Sequence, residues 1–127
     1  MFRKLITCIT ILTTTLASNT LQAKHKYPES YYQKKDCQKR GGIIEYKRHL
    51  GRIDCLTRNL AIEYDFIDEG KHYDCLGQAL YYSAITGRQG VCSLIIENES
   101  YMKYLDIIQT SIKHHKLNIK LHLIKNY

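Results

Sequence analysis

The stretch that most constrains this chain is Leu60-Ala61-Ile62-Glu63-Tyr64-Asp65-Phe66. Alternation at period two predicts a strand with Leu60, Ile62, Tyr64 and Phe66 on one face and Ala61, Glu63 and Asp65 on the other. Both acids therefore point the same way. Asp68 then offers a cap for a helix running to about Thr86, where Gly87 ends it. The next run, Gly90-Val91-Cys92-Ser93-Leu94-Ile95-Ile96, is apolar and of strand length, as expected of a central strand buried on both faces.

The flanking segments extend the pattern. Glu29 to Arg40 reads as a half-buried helix, with Pro28 at its start and Gly41-Gly42 to stop it. Ile43 to Arg48 and Arg52 to Leu56 read as a hairpin turned at His49-Leu50-Gly51, and Thr57-Arg58-Asn59 leads into the alternating strand. Asn98-Glu99-Ser100 starts a third helix with Tyr104, Leu105, Ile108 and Ile112 on one side. Leu117, Ile119, Leu121 and Leu123 predict a last strand with Lys120 and His122 outward. The order is α-β-β-β-α-β-α-β. A hairpin meander followed by a helical crossover predicts an α/β (α+β) fold, a mixed central sheet flanked by helices.

Residues 1–23 carry the marks of a signal peptide. Arg3 and Lys4 form a basic start, Leu5 to Leu16 is apolar and threonine-rich, and Leu21-Gln22-Ala23 ends on a small residue. The apolar run is shorter than the roughly 20 residues of a membrane span, and Cys8 sits inside it without the context of a lipid anchor. Residues 24–127 then form one domain, opening on a lysine-rich leader at 24–28 that nothing in the sequence ties down. Setting residues 1–23 aside leaves 19 − 2 = 17 Lys and Arg against 12 acids, a net +5. Such a surplus favours polyanions, nucleic acid or anionic lipid among them. Export to the periplasm or the medium, an oxidising compartment, predicts disulfides among Cys37, Cys55, Cys75 and Cys92. Three pairings are open. Cys37 can reach Cys55 across the sheet edge, and Cys75 on the crossover helix can reach Cys92 on the following strand. Without a Cys-x-x-Cys or Cys/His quartet, a structural zinc site is unsupported.

The candidate chemistry lies between Gly42 and Tyr82. Glu45, Asp54, Glu63 and Asp65 are carboxylates on neighbouring predicted strands. Lys71, Cys75, Gln78 and Tyr82 follow at spacings of four, three and four, along one helical stripe. Carboxylate oxygens beside a lysine and polar hydroxyl and amide groups are what a small magnesium site needs. The competing reading makes Glu45, Glu63 and Asp65 a solvated sheet face paired with Arg48, Arg52 and Arg58. His114 and His115 point about 100° apart on a helix and suit its C-terminus better than a metal. His72 is a weaker acid/base candidate and His49 belongs to a turn. The eleven tyrosines are scattered and single out no base-stacking platform.

Gly51-Arg52-Ile53-Asp54, Glu63-Tyr64-Asp65 and Gln78-Ala79-Leu80-Tyr81-Tyr82, taken with the element order, resemble the PD-(D/E)XK nuclease superfamily from about Cys37 to Ile96. More narrowly, Asp54-Cys55-Leu56-Thr57, Ala61-Ile62-Glu63 and Gly77 to Tyr82 look like a bacterial group of short, often exported, nuclease-like proteins. The resemblance implies a restriction-endonuclease-like core with Asp54 and Glu63 as ligands of Mg2+ (or Mn2+). Asp65 would be an added ligand or outer-shell group, and Glu45 a further ligand through water. Gln78 and Tyr82 match a Gln-x-x-x-Tyr segment that lies beside the site in one branch. One departure stands out: the superfamily has a lysine two residues after the third-strand acid, and this chain has Asp65. Lys71 is the natural substitute. The expected activity is metal-dependent hydrolysis of nucleic acid. The alternatives are an inactive nuclease-like domain binding nucleic acid, another polyanion or a protein in the cell envelope, and a purely structural, disulfide-stapled protein.

Overall fold

The structure, a computed structural model, describes residues 24–127; the signal-peptide reading, with Cys8, lies outside the described residues. In order come α1 (Glu29–Lys39), β1 (Ile43–Arg48), β2 (Gly51–Leu56), β3 (Leu60–Phe66), α2 (His72–Thr86), β4 (Gln89–Ile96), α3 (Leu105–His114) and β5 (Ile119–Lys125). Short 3-10 turns at Ile67–Glu69 and Glu99–Tyr104 lead into α2 and α3. The architecture is the expected α+β arrangement. Five strands form one sheet in the order β1-β2-β3-β4-β5. Short turns keep β1, β2 and β3 antiparallel, and the helical crossovers make β3, β4 and β5 parallel.

Each face of the sheet has its own core. On one, Tyr32 and Cys37 of α1 meet Cys55, Ile62, Tyr64, Phe66, Val91 and Ile95. On the other, Leu76, Ala79, Leu105 and Ile108 of α2 and α3 cover Cys92, Leu94 and Ile96, and Tyr82 packs with Ile53, Leu56 and Ala61. β4 feeds both cores, which is why it is apolar nearly throughout. Each fully buried Ile or Leu here contributes about 1.5–3 kcal/mol.

Two disulfides fasten these layers. Cys37–Cys55 joins α1 to β2 with Cα atoms 5.7 Å apart, and Cys75–Cys92 joins α2 to β4 at 5.5 Å. A side chain at Gly42 would place its Cβ 2.7 Å from Cys37 Sγ, so only glycine lets the chain leave α1 past this bridge. Two disulfides accord with export to an oxidising compartment. Among the described residues no helix is long and apolar enough to cross a membrane.

Three local expectations are corrected. The lysine-rich leader is tied down: Lys24 pairs with Asp68 at 3.0 Å, His25 stacks on Phe66 with centroids 3.6 Å apart, and the Lys26 amide donates to Glu97 at 2.9 Å. Asp68 does not cap α2, because Gly70 adopts φ 70° and delays the helix to His72, leaving Lys71 as the cap residue. His122 does not face outward; its Nδ1 lies 2.6 Å from the Oγ of buried Ser93, its partner on β4.

Candidate functional site

Asp54 and Glu63 meet where β2 peels away from β3. Backbone pairing between these strands covers Cys55 with Ile62 and Leu56 with Ala61 and stops there. Beyond it, side chains replace the ladder. The Asp54 amide donates to Glu63 Oε1 at 3.3 Å, the Tyr64 amide donates to Asp54 Oδ2 at 3.0 Å, and the Gln33 side chain donates to the Asp54 carbonyl at 2.8 Å. The Asp54 amide and carbonyl and the Tyr64 amide thus keep partners despite the splay.

The hairpin also turns over at this point. Ile53 packs with Ala61 and Tyr82 on the α2 side, whereas Cys55, two residues on, packs with Ile62 on the α1 side. Glu45, opposite Asp54, sits at φ 54° in the left-handed region, and the β1–β2 ladder skips that pair. A non-glycine residue held there stores strain of order 1–3 kcal/mol.

The result is a cavity of about 350 Å3 in which Asp54, Glu63 and Asp65 converge with Lys71, Gln78 and Tyr82. Tyr82 is fixed by the Arg52 amide, which donates to its hydroxyl at 3.1 Å. Gly51 makes room for it, since any Cβ there would run into the phenol ring. Glu63 is 2% exposed and Asp65 8%. Burial first, and then the neighbouring Asp54 charge, pushes the Glu63 carboxyl up to about 9. Burial and the Glu29 charge push Asp65 up to about 7, with Lys71 opposing. Burial also raises Asp54, against the Tyr64 amide and Arg52. Among the described residues none of these three acids is in an ion pair. That burial rules out the solvated-face reading for Glu63 and Asp65.

No family model, curated protein or solved structure matches this chain.

The cavity omits some residues that the sequence put forward. Glu45 does not line it, because the left-handed turn at this residue directs its half-exposed carboxylate to Arg52 at 3.6 Å. Lys71 lines the rim rather than the floor: its ammonium lies 3.3 Å from Glu69, and that contact raises its pKa and keeps it protonated. His72 is buried with Nδ1 unpartnered and lines no part of this cavity. His114 ends α3 with His115 as its cap residue. Among the described residues no group of three or more His, Cys, Asp or Glu is poised to hold a metal ion, so the four-acid set is not assembled in advance.

The cavity also contains residues that the sequence did not single out. Glu29 opens α1 and reads from sequence as an N-terminal dipole acid, yet it lines this wall, and burial with the Asp54 charge raises its pKa. Asp74 joins from α2, and from β2 comes Arg52, which the sequence put forward only as a pairing partner for a solvated acid face. The available signal for Asp74 was its place in the stripe, three residues after Lys71 and four before Gln78.

Proposed function

We propose that this chain hydrolyses phosphodiester bonds of nucleic acid with the help of a divalent cation, in the manner of the PD-(D/E)XK nucleases. The observation that carries the reading is the convergence of two buried carboxylates, Glu63 and Asp65, and the half-buried Asp54, none in an ion pair among the described residues, on a cavity also lined by Lys71, Gln78 and Tyr82. Burying like charges together is costly unless something offsets it. Carboxylate oxygens are hard donors, and Mg2+ is usually held by one or two carboxylates together with waters and substrate phosphates. The donor set is of the chemical type such an ion takes, while among the described residues no group of three or more His, Cys, Asp or Glu is placed to hold one unaided.

Asp54 and Glu63 would hold the ion. Each already has one oxygen engaged by a backbone amide, which leaves Asp54 Oδ1 and Glu63 Oε2 to ligate. When bound, Mg2+ or Mn2+ polarises phosphate, activates water and stabilises charge on the leaving oxygen. Lys71, protonated at the rim, orients a phosphate and offsets its growing negative charge. The Tyr82 hydroxyl accepts the Arg52 amide and keeps its own proton free to donate to phosphate or water, with Gln78 beside it. Asp65, where the superfamily has lysine, orders water around the ion.

The test is degradation of labelled DNA and RNA by the oxidised, folded protein with Mg2+ or Mn2+. Cleavage that disappears in Asp54→Asn and Glu63→Gln supports the reading, and no cleavage by the folded wild type under any of these conditions overturns it. A second reading, a binding domain without turnover, is favoured by one observation: the lysine position is taken by Asp65, and the substitute Lys71 is paired with Glu69. It predicts salt-sensitive polyanion binding indifferent to Asp54 and Glu63.

A further inference from the structure

The α1 side of the molecule carries a separate groove of about 310 Å3, where Tyr27, Tyr31, Lys35, Lys39, Lys125 and Asn126 meet. Tyr27 and Tyr31 stack with ring centroids 4.3 Å apart and planes 24° from parallel. They remain 44% and 40% exposed, so the stack stands open to solvent. Tyr32 differs: it is buried, its hydroxyl donates to Glu97 and accepts from the Asn126 side chain at 2.7 Å, and both other rings meet it edge-on. It forms a fixed floor under a free aromatic pair.

Spacing supplies the charge. Tyr31, Lys35 and Lys39 recur every four residues and so run along one line of α1, with Lys35 Nζ 5.7 Å from the Tyr31 ring centre. Among the described residues Lys35, Lys39 and Lys125 are in no ion pair. The one acid lining the groove, Asp36, is already paired, its Oδ2 accepting from Arg40 and from the Tyr64 hydroxyl, both at 2.7 Å. The groove therefore offers three free cations beside an open stack.

The groove and the acid cavity share wall residues through a third concavity. Tyr27 lines a shallow concavity that it shares with Glu29 and Lys71, and those two residues line the acid cavity as well.

We propose that this groove binds single-stranded nucleic acid, Tyr27 and Tyr31 stacking its bases and Lys35, Lys39 and Lys125 contacting its phosphates. A duplex hides its base faces in its own stack, whereas an unpaired strand exposes them to aromatic side chains. A groove made for phosphate alone would have no use for two open rings. That the bound strand runs on into the acid cavity rests on the nuclease reading; the binding itself does not.

The experiment is fluorescence anisotropy with labelled oligothymidylate, its RNA counterpart and a duplex, in EDTA so that no cleavage occurs. The folded protein is compared with Tyr27→Ala/Tyr31→Ala and with Lys35→Ala/Lys39→Ala/Lys125→Ala; circular dichroism checks folding. The tyrosine pair should weaken binding of at least one single-stranded probe by roughly tenfold or more and leave duplex binding nearly unchanged. The lysine triple should flatten the log–log salt slope by about two. Single-strand affinity within about twofold of wild type after loss of both rings, or a duplex bound as tightly as the single strands, overturns the proposal. Ring-dependent binding by a protein that never cleaves would refute the nuclease reading and leave the groove standing. Cleavage without ring dependence would do the reverse.

Discussion

Glu97, just past the end of β4, and Glu63, in the middle of the adjacent β3, are both carboxylates shielded from solvent, and their surroundings are opposite. Glu97 accepts from the Tyr32 hydroxyl, the Lys26 and Tyr27 amides and His25. Burial would raise its pKa, but these donors overcome it and hold the carboxyl below its usual range. Glu69, close by, is likewise lowered despite burial, by His25 and Lys71. Glu63 has one backbone donor at 3.3 Å and two acids for neighbours, and its carboxyl is pushed up to about 9. The same chain therefore surrounds one acidic cluster with donors, many of them from its leader segment, and leaves the other short of positive charge. Many donors are what a clamp requires, and unmet charge is what a cation-binding site requires.

Several changes would break or sharpen that contrast. The largest effect belongs to turnover: Asp54→Asn or Glu63→Gln should cut Mg2+-dependent cleavage by at least about a hundredfold while the circular dichroism spectrum stays that of wild type. Next come the bridges. Cys55 adjoins Asp54 and Cys92 is the β4 partner of Glu63, so each disulfide anchors the backbone beside one acid. Replacing either pair by alanine should cost about 3 kcal/mol in urea unfolding, given closed loops near 17 residues. Glu97→Gln weakens the clamp and should cost about 1–3 kcal/mol, whereas Asp65→Asn at pH 8 without divalent ions should be neutral or stabilising. Glu45→Gln, at an exposed pair outside the cavity, should stay within about 0.5 kcal/mol of wild type.

Half of this arrangement was legible in the sequence. Alternation from Leu60 to Phe66 placed Glu63 and Asp65 on one face, and the apolar run of β4 marked the centre of the sheet, because periodicity reports which side of a strand is buried. For Asp54 the sequence offered only its place among carboxylates on neighbouring predicted strands, not the side to which it points. Period two puts Ile53 and Cys55 together, but the strand turns over between them, and no residue type announces the left-handed Glu45 that accompanies the turn. The leader's contacts with Asp68, Glu69 and Glu97, the inward His122 and the meeting of Tyr27, Tyr31 and Tyr32 all join distant or differently classed segments. Local propensity carries no trace of such pairings. Lys71 falls one residue short of α2, as its cap, since Gly70 breaks the helix before it.

In the acid cavity, stability and cation binding are linked. Because the folded pKa values of Glu63 and Asp65 lie above those of an unfolded chain, the folded state holds extra protons. Their contribution is fully present below about pH 4 and is lost as pH rises through about 7 and then about 9. Thermal unfolding at pH 8 with increasing Mg2+ is therefore the decisive measurement. The Tm of wild type should climb with the logarithm of Mg2+ above its Kd, and Glu63→Gln, folded and starting no lower, should barely respond. A wild type indifferent to Mg2+ and Mn2+, or a Glu63→Gln variant that climbs just as far, would contradict the claim that these acids are gathered for a cation.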